Sequence, residues 1–78
     1  MTASKYMKAL KSGSEIVIIS NDKNCNSSIF FLDSDGNLCS FSRFFGTMKR
    51  SDITIEQAIE HFQNMESDCK VFIRGYMD

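Results

Sequence analysis

Three segments of this chain, Ile16-Val17-Ile18-Ile19, Ile29-Phe30-Phe31-Leu32 and Val71-Phe72-Ile73, have the composition of strands but no alternation of apolar and polar residues. Successive side chains of a strand point to opposite faces of its sheet, so a strand with one wet face alternates. These do not, and both faces of the sheet they build therefore demand cover, by two helices, by a second copy or by a partner. The chain has 78 residues, the size of one small domain. Domains near this size bury only roughly 60% of the surface that the unfolded chain exposes, so association is a common supplement to their stability.

The order of elements follows from spacing and punctuation. Ala3, Tyr6, Met7 and Leu10 make one stripe of a helix. Thr2 can cap its start, Lys8 and Lys11 suit its negative end, and Gly13 stops it. A first strand is expected at about 15–20, then a polar loop over 21–27 and a second strand at about 28–32. Asp33-Ser34-Asp35-Gly36-Asn37 carries the Asp-Gly signature of a tight hairpin. A third strand runs from 38 to about 44, and 46–52, with Lys49 and Arg50, reads as a second polar loop.

Thr54 and Gln57 have capping-box spacing, and Ile55, Ala58, Ile59, Phe62 and Met65 form the apolar stripe of a second helix. A last strand spans about 70–77. The expectation is a single α+β domain over 1–78, ordered α-β-β-β-α-β. Its mostly antiparallel four-stranded sheet has spatial order 3-2-1-4 and packs with two helices. A right-handed helical crossover would return the last strand parallel to the third. If both helices pack on one face, the other face keeps Phe, Ile and Val side chains exposed; if they split, each face is covered only in part.

Composition narrows the function classes. At 42% hydrophobic and 12% aromatic, the chain is a folding globule. A formal net charge of -1 argues against a general nucleic-acid or membrane-surface binder, though a local basic patch remains compatible with it. Cys25, Cys39 and Cys69 are odd in number, widely spaced and without a CxxC pair, so reduced thiols in the cytoplasm are expected, two of them in the core. The longest unbroken apolar run is four residues. A membrane-spanning helix needs about 20 and a signal peptide at least about 7.

No motif carries chemistry. Asp22-x-Asn24-x-Asn26 has the spacing that starts an EF-hand loop, with Ile29 eighth and Asp33 twelfth, but Ser27 stands where that loop needs glycine. Asp33, Asp35 and Asn37 serve a turn's backbone more readily than a cation. His61 lies eight residues from the nearest cysteine, Cys69, and off the centre of its helix's apolar stripe. Asp52, Glu56 and Glu60 read as a solvated face that complements a helix dipole. The expectation is therefore no catalytic residue, no metal, no cofactor and no enzyme.

Phe41-Ser42-Arg43-Phe44-Phe45-Gly46-Thr47-Met48-Lys49-Arg50 interleaves aromatic and basic residues. Aromatics, methionine and arginine are enriched at the centres of protein interfaces. Phe41, Arg43 and Phe45 would share a face if the third strand is regular, and Phe72 and Tyr76 would share a face of the last strand. With Lys49 and Arg50 they are the candidate partner-binding residues, although several could equally be core.

The expected function is stoichiometric binding of a protein, as a homodimer or docked on a host factor as its inhibitor. The Asn-, Ser-, Ile-, Phe- and Lys-rich composition is similar to that of phage or mobile-element accessory proteins from AT-rich genomes. The alternative is a nucleic-acid-binding module using 41–50, since such segments stack bases and contact phosphates. The α-β-β-β-α start has the order of a double-stranded RNA-binding domain. Such domains carry lysines where the second helix begins, and this chain has Ile55-Glu56-Gln57.

Overall fold

A computed structural model of the chain describes residues 3–20, 27–43 and 45–75. Thr2 as a cap, most of the 21–27 loop with Asp22, Asn24, Cys25 and Asn26, Phe44, and the candidate Tyr76 lie outside the described residues. The elements are α1 (Ala3–Lys11), β1 (Glu15–Ser20), β2 (Ser28–Leu32), β3 (Leu38–Ser42), β4 (Gly46–Lys49), α2 (Ile55–Met65) and β5 (Cys69–Arg74). The strands form one sheet in the order β4-β3-β2-β1-β5, and every neighbouring pair is antiparallel.

Local chemistry accounts for the boundaries. Gly13, at φ 91°, ends α1: its amide donates to the Leu10 carbonyl, and the Ser14 amide to the Ala9 carbonyl at 2.9 Å. These two bonds are a Schellman cap, which needs the left-handed residue that glycine supplies at least cost. Between β2 and β3, Asp33 Oδ1 accepts from the amides of Asp35 (2.9 Å) and Asn37 (2.8 Å). The Asp33 carboxylate thus serves the turn's backbone. At α2, Thr54 Oγ1 accepts from the Gln57 amide at 3.0 Å while Gln57 Oε1 accepts from the Thr54 amide at 2.8 Å, closing the capping box.

Both helices lie on the same face of the sheet. Tyr6, Ala9 and Leu10 of α1 and Ala58, Ile59 and Phe62 of α2 share one core with Ile16, Ile18, Phe30 and Leu38. Its centre is aromatic: Phe62 meets Tyr6 edge-on at 5.4 Å and Phe30 at 5.1 Å between ring centroids. The Tyr6 hydroxyl, buried beneath the helices, donates to the Glu66 carboxylate just past α2. No helix among the described residues is long and apolar enough to cross a membrane.

The α+β class and the inner order β3-β2-β1-β5 match the sequence-based expectation; the sheet differs from it in having five strands. Gly46–Lys49, expected as loop, pairs with β3 as Ser42↔Gly46 through Cys39↔Lys49. That extra reversal changes the last connection. The chain leaves β4 at the opposite end of the sheet from where β3 would have left it, and β5 returns antiparallel to β1, with Glu15↔Arg74 through Ser20↔Cys69 paired. The parallel return is therefore corrected, and the crossover spans the whole sheet.

Candidate functional site

With the helices on one side, the opposite face of the sheet has no described element over it. The registers assign its residues. Phe72 pairs with Val17, Val17 with Ile29, Ile29 with Phe41 and Phe41 with Thr47, a straight row across all five strands. On one flank lie Arg74 and Glu15, then Phe31, Cys39 and Lys49; on the other lie Lys70 and Ile19. Opposite-face partners of these residues, such as Ile16, Ile18 and Phe30, are the ones packed under the helices.

The row is apolar but not evenly so in relief. Val17 is 4% exposed, set flush between its neighbours on β2 and β5, whereas Phe41 is 42% and Ile19 40% exposed. Ile29, Phe31 and Phe72 are half-buried. The face is a shallow apolar floor with Phe41 and Ile19 standing above it.

Charges sit at its margins. Arg74 reaches Glu15 Oε1 with Nε at 2.9 Å and Nη2 at 2.7 Å. Lys49 and Lys70 are exposed. Asp33, in the turn beside Cys39 and Lys49, is held below the ordinary carboxylate range, first by the Asn37 amide and with help from Lys49. Burial, and then the Asp33 carboxylate, push the Cys39 thiol upward. A protonated, buried thiol is a core group rather than a nucleophile.

The structure divides the seven sequence candidates. Phe41, Lys49 and Phe72 belong to the open face. Arg43 and Phe45 do not continue it, because β3 stops at Ser42 and both fall in the turn to β4; the expected shared face of Phe41, Arg43 and Phe45 is corrected. Phe45 is 77% exposed, its amide donating to Ser42 Oγ at 3.2 Å. It lines a recess of about 260 Å³ with Phe30, Ser40, Met48 and two other candidates, Phe41 and Arg50. Arg50 follows β4 and is clamped by Asp52, with Nε and Nη2 each 3.0 Å from a carboxylate oxygen. Tyr76 lies outside the described residues.

The residues that sequence reasoning missed individually are Val17, Ile19, Ile29, Phe31, Lys70 and Arg74. Their signal was the absence of alternation in β1, β2 and β5, which marks a second apolar face without saying which half of each strand lies on it. Compared with protein families, with curated proteins and with solved structures, the chain matches none. The site must therefore be read from its own chemistry. Among the described residues no group of three or more His, Cys, Asp or Glu gathers to hold a metal ion. His61 is exposed on α2, its ring 6.4 Å from that of Phe30. A groove of about 350 Å³ lies between the helices, lined by Ala3, Ser4, Met7 and Ile59 with Glu56, Glu60 and Gln63.

Proposed function

We propose that this chain is a protein-binding module that docks one protein partner, in fixed stoichiometry, on the open face of its sheet and catalyses no reaction. The observation that carries the reading is the row Phe72-Val17-Ile29-Phe41, apolar across four adjacent strands with no described element over it. Five strands about 4.8 Å apart and about 17 Å long present a footprint on the order of 400 Å². Its apolar part, where Phe41 and Ile19 are exposed, is smaller and matches the largest patch of an ordinary monomer, a patch that is often functional. The whole footprint is about half of the roughly 800 Å² that each partner gives to a standard interface, so a partner must also engage the charged margins.

Such a surface suits an inhibitor that works by occupying another protein, in this reading a cytoplasmic host factor. The nucleic-acid alternative has less support. Arg50 is engaged by Asp52, and Arg43 lies in the turn after β3 ends at Ser42.

Native mass by light scattering, on the chain alone and mixed with candidate host proteins, tests the reading. A complex of fixed stoichiometry that Phe41→Glu abolishes, with circular dichroism unchanged, is the expected result. A complex that Phe41→Glu leaves intact would overturn it.

A further inference from the structure

Among the described residues four large apolar side chains are exposed: Ile19, Phe41, Phe45 and Met48. Three of them, Phe41, Phe45 and Met48, line one recess of about 260 Å³ at the β3–β4 end of the sheet, together with Phe30, Ser40 and Arg50. We infer that, on the reading of this chain as a protein-binding module, the recess is the socket for one aromatic residue of the partner, held by its ring and by the carbonyl of its own backbone. Phe41 belongs to both the recess and the open face, so the anchor enters beside the surface on which the partner lies.

The registers show why the recess is there. Ile16, Phe30, Ser40 and Met48 are successive partners in one row across β1, β2, β3 and β4. The helices pack mainly against β1, β2 and β5. Ile16 and Phe30 are accordingly core, and the row ends in Met48, which is 47% exposed. Phe45 closes the recess from the turn, where its amide is tied to Ser42 Oγ.

The lining selects a guest. Its walls are aromatic rings and a thioether, which favour an aromatic group over an aliphatic one. A closed cavity of about 150 Å³ holds benzene, so the recess has room for a ring and the peptide group beside it. The polar groups offer donors. Ser40 is only 8% exposed; its oxygen receives Arg50 Nη1 over a long 3.5 Å, and its own proton has no acceptor among the described residues. A buried hydroxyl proton without an acceptor is unfavourable, and an incoming carbonyl relieves it. Asp52 already holds Arg50 through Nε and Nη2, so the guanidinium brings no uncompensated charge for a carboxylate. No acidic side chain among the described residues lines the recess to hold a cation. The guest that satisfies these groups is neutral, an aromatic ring next to an amide carbonyl.

A nucleobase would fit the same walls, but it arrives with a phosphate, and the cation in the lining is already engaged.

Two-dimensional amide NMR spectra of the intact chain test the socket residue by residue. N-acetyl-phenylalanine methylamide should shift the amides of Ser40, Phe45, Met48 and Arg50 with a Kd on the order of 1 mM. N-acetyl-alanine methylamide, which keeps the carbonyls and lacks the ring, should bind at least about tenfold more weakly. Ser40→Ala removes the donor and keeps the walls, and should weaken the phenylalanine probe about three- to tenfold. Phe45→Ala, at a side chain 77% exposed and so without cost to the core, should weaken it at least about threefold.

Equal binding of the two probes, a Ser40→Ala variant that binds like wild type, or no shift at ten times that concentration would each overturn the inference. Shifts confined to Val17, Ile29 and Phe72 would overturn it while leaving the open face as the docking surface. Recess amides that respond to oligo(dT) and not to the phenylalanine probe would assign the site to nucleic acid and remove the protein-binding reading as well.

Discussion

Gly75 reads in the sequence as one more isolated bend, and its neighbour in space shows otherwise. A Cβ built there would stand 2.2 Å from Ser14 Oγ and 2.9 Å from Ser14 Cβ, and Ser14 is itself buried between α1 and β1. The hydroxyl can rotate away, but the Cβ contact requires backbone or β5 to shift. Gly75→Ala is expected to cost roughly 1–3 kcal/mol, the usual cost of overpacking. Ser14→Gly made together with it should recover about 1 kcal/mol or more of that loss, as contacting residues do in double-mutant cycles. Urea denaturation of the four proteins measures both; additive effects of the two substitutions would show that the close approach is not felt. The same scale explains why the candidate site was only half legible. Phe41 and Phe72 were recognisable as aromatics on strands, but the side chosen by residues 43 and 45 depends on where β3 ends. Ser42-Arg43-Phe44-Phe45-Gly46 contains no Pro and no Asn-Gly or Asp-Gly pair to mark that end.

Elements were legible in proportion to how much local chemistry marks their ends. α2 was read correctly from Thr54, Gln57 and a five-residue stripe, because the capping box satisfies amides that any helix start leaves unpaired. Thr54→Ala should destabilise the protein by about 1 kcal/mol, checked by thermal or urea unfolding, with Thr54→Ser close to wild type. β4 was missed for the complementary reason: its four residues are mostly exposed on both faces and carry no apolar pattern, and its pairing to β3 is set by the backbone alone. Missing it also reversed the direction assigned to β5.

A tie between elements brings in pH. The Tyr6 hydroxyl on α1 donates to the Glu66 carboxylate after α2, and that bond holds Glu66 below the ordinary carboxylate range. A carboxyl depressed in the folded state adds stability that is complete above its unfolded value and disappears as pH falls through its folded one. Asp33, held by turn amides, and Asp52, held by Arg50, act in the same direction. Stability to urea should therefore decline between about pH 5 and pH 2. Glu66→Gln, which keeps an acceptor for Tyr6 but cannot titrate, should make that decline shallower without removing it. An unchanged slope would mean that Glu66 is not depressed by the contact.

At the scale of the whole molecule, the non-alternating strands posed a choice between covering two faces with one helix each and covering one face with both. The chain takes the second course, and the result is a two-layer domain with an asymmetric distribution of apolar energy. On the covered side, Phe62 is fully buried against Tyr6 and Phe30, and truncation there removes both its transfer free energy and its packing. Phe62→Ala should cost about 3–5 kcal/mol, a large share of the stability of a domain this small. On the open side, Phe41 has 42% of its surface in water. Phe41→Ala should cost roughly half as much, about 1–2 kcal/mol, since about two fifths of its area stays in water. Urea denaturation of the two variants, with equal slopes, reads the asymmetry directly. If Phe41→Ala cost as much as Phe62→Ala, the face would already be covered in solution, and the light-scattering mass of the wild-type chain would have to show by what. If the asymmetry holds, the exposed part of Phe41 contributes little to folding, which is what the proposed docking of a partner on this face requires.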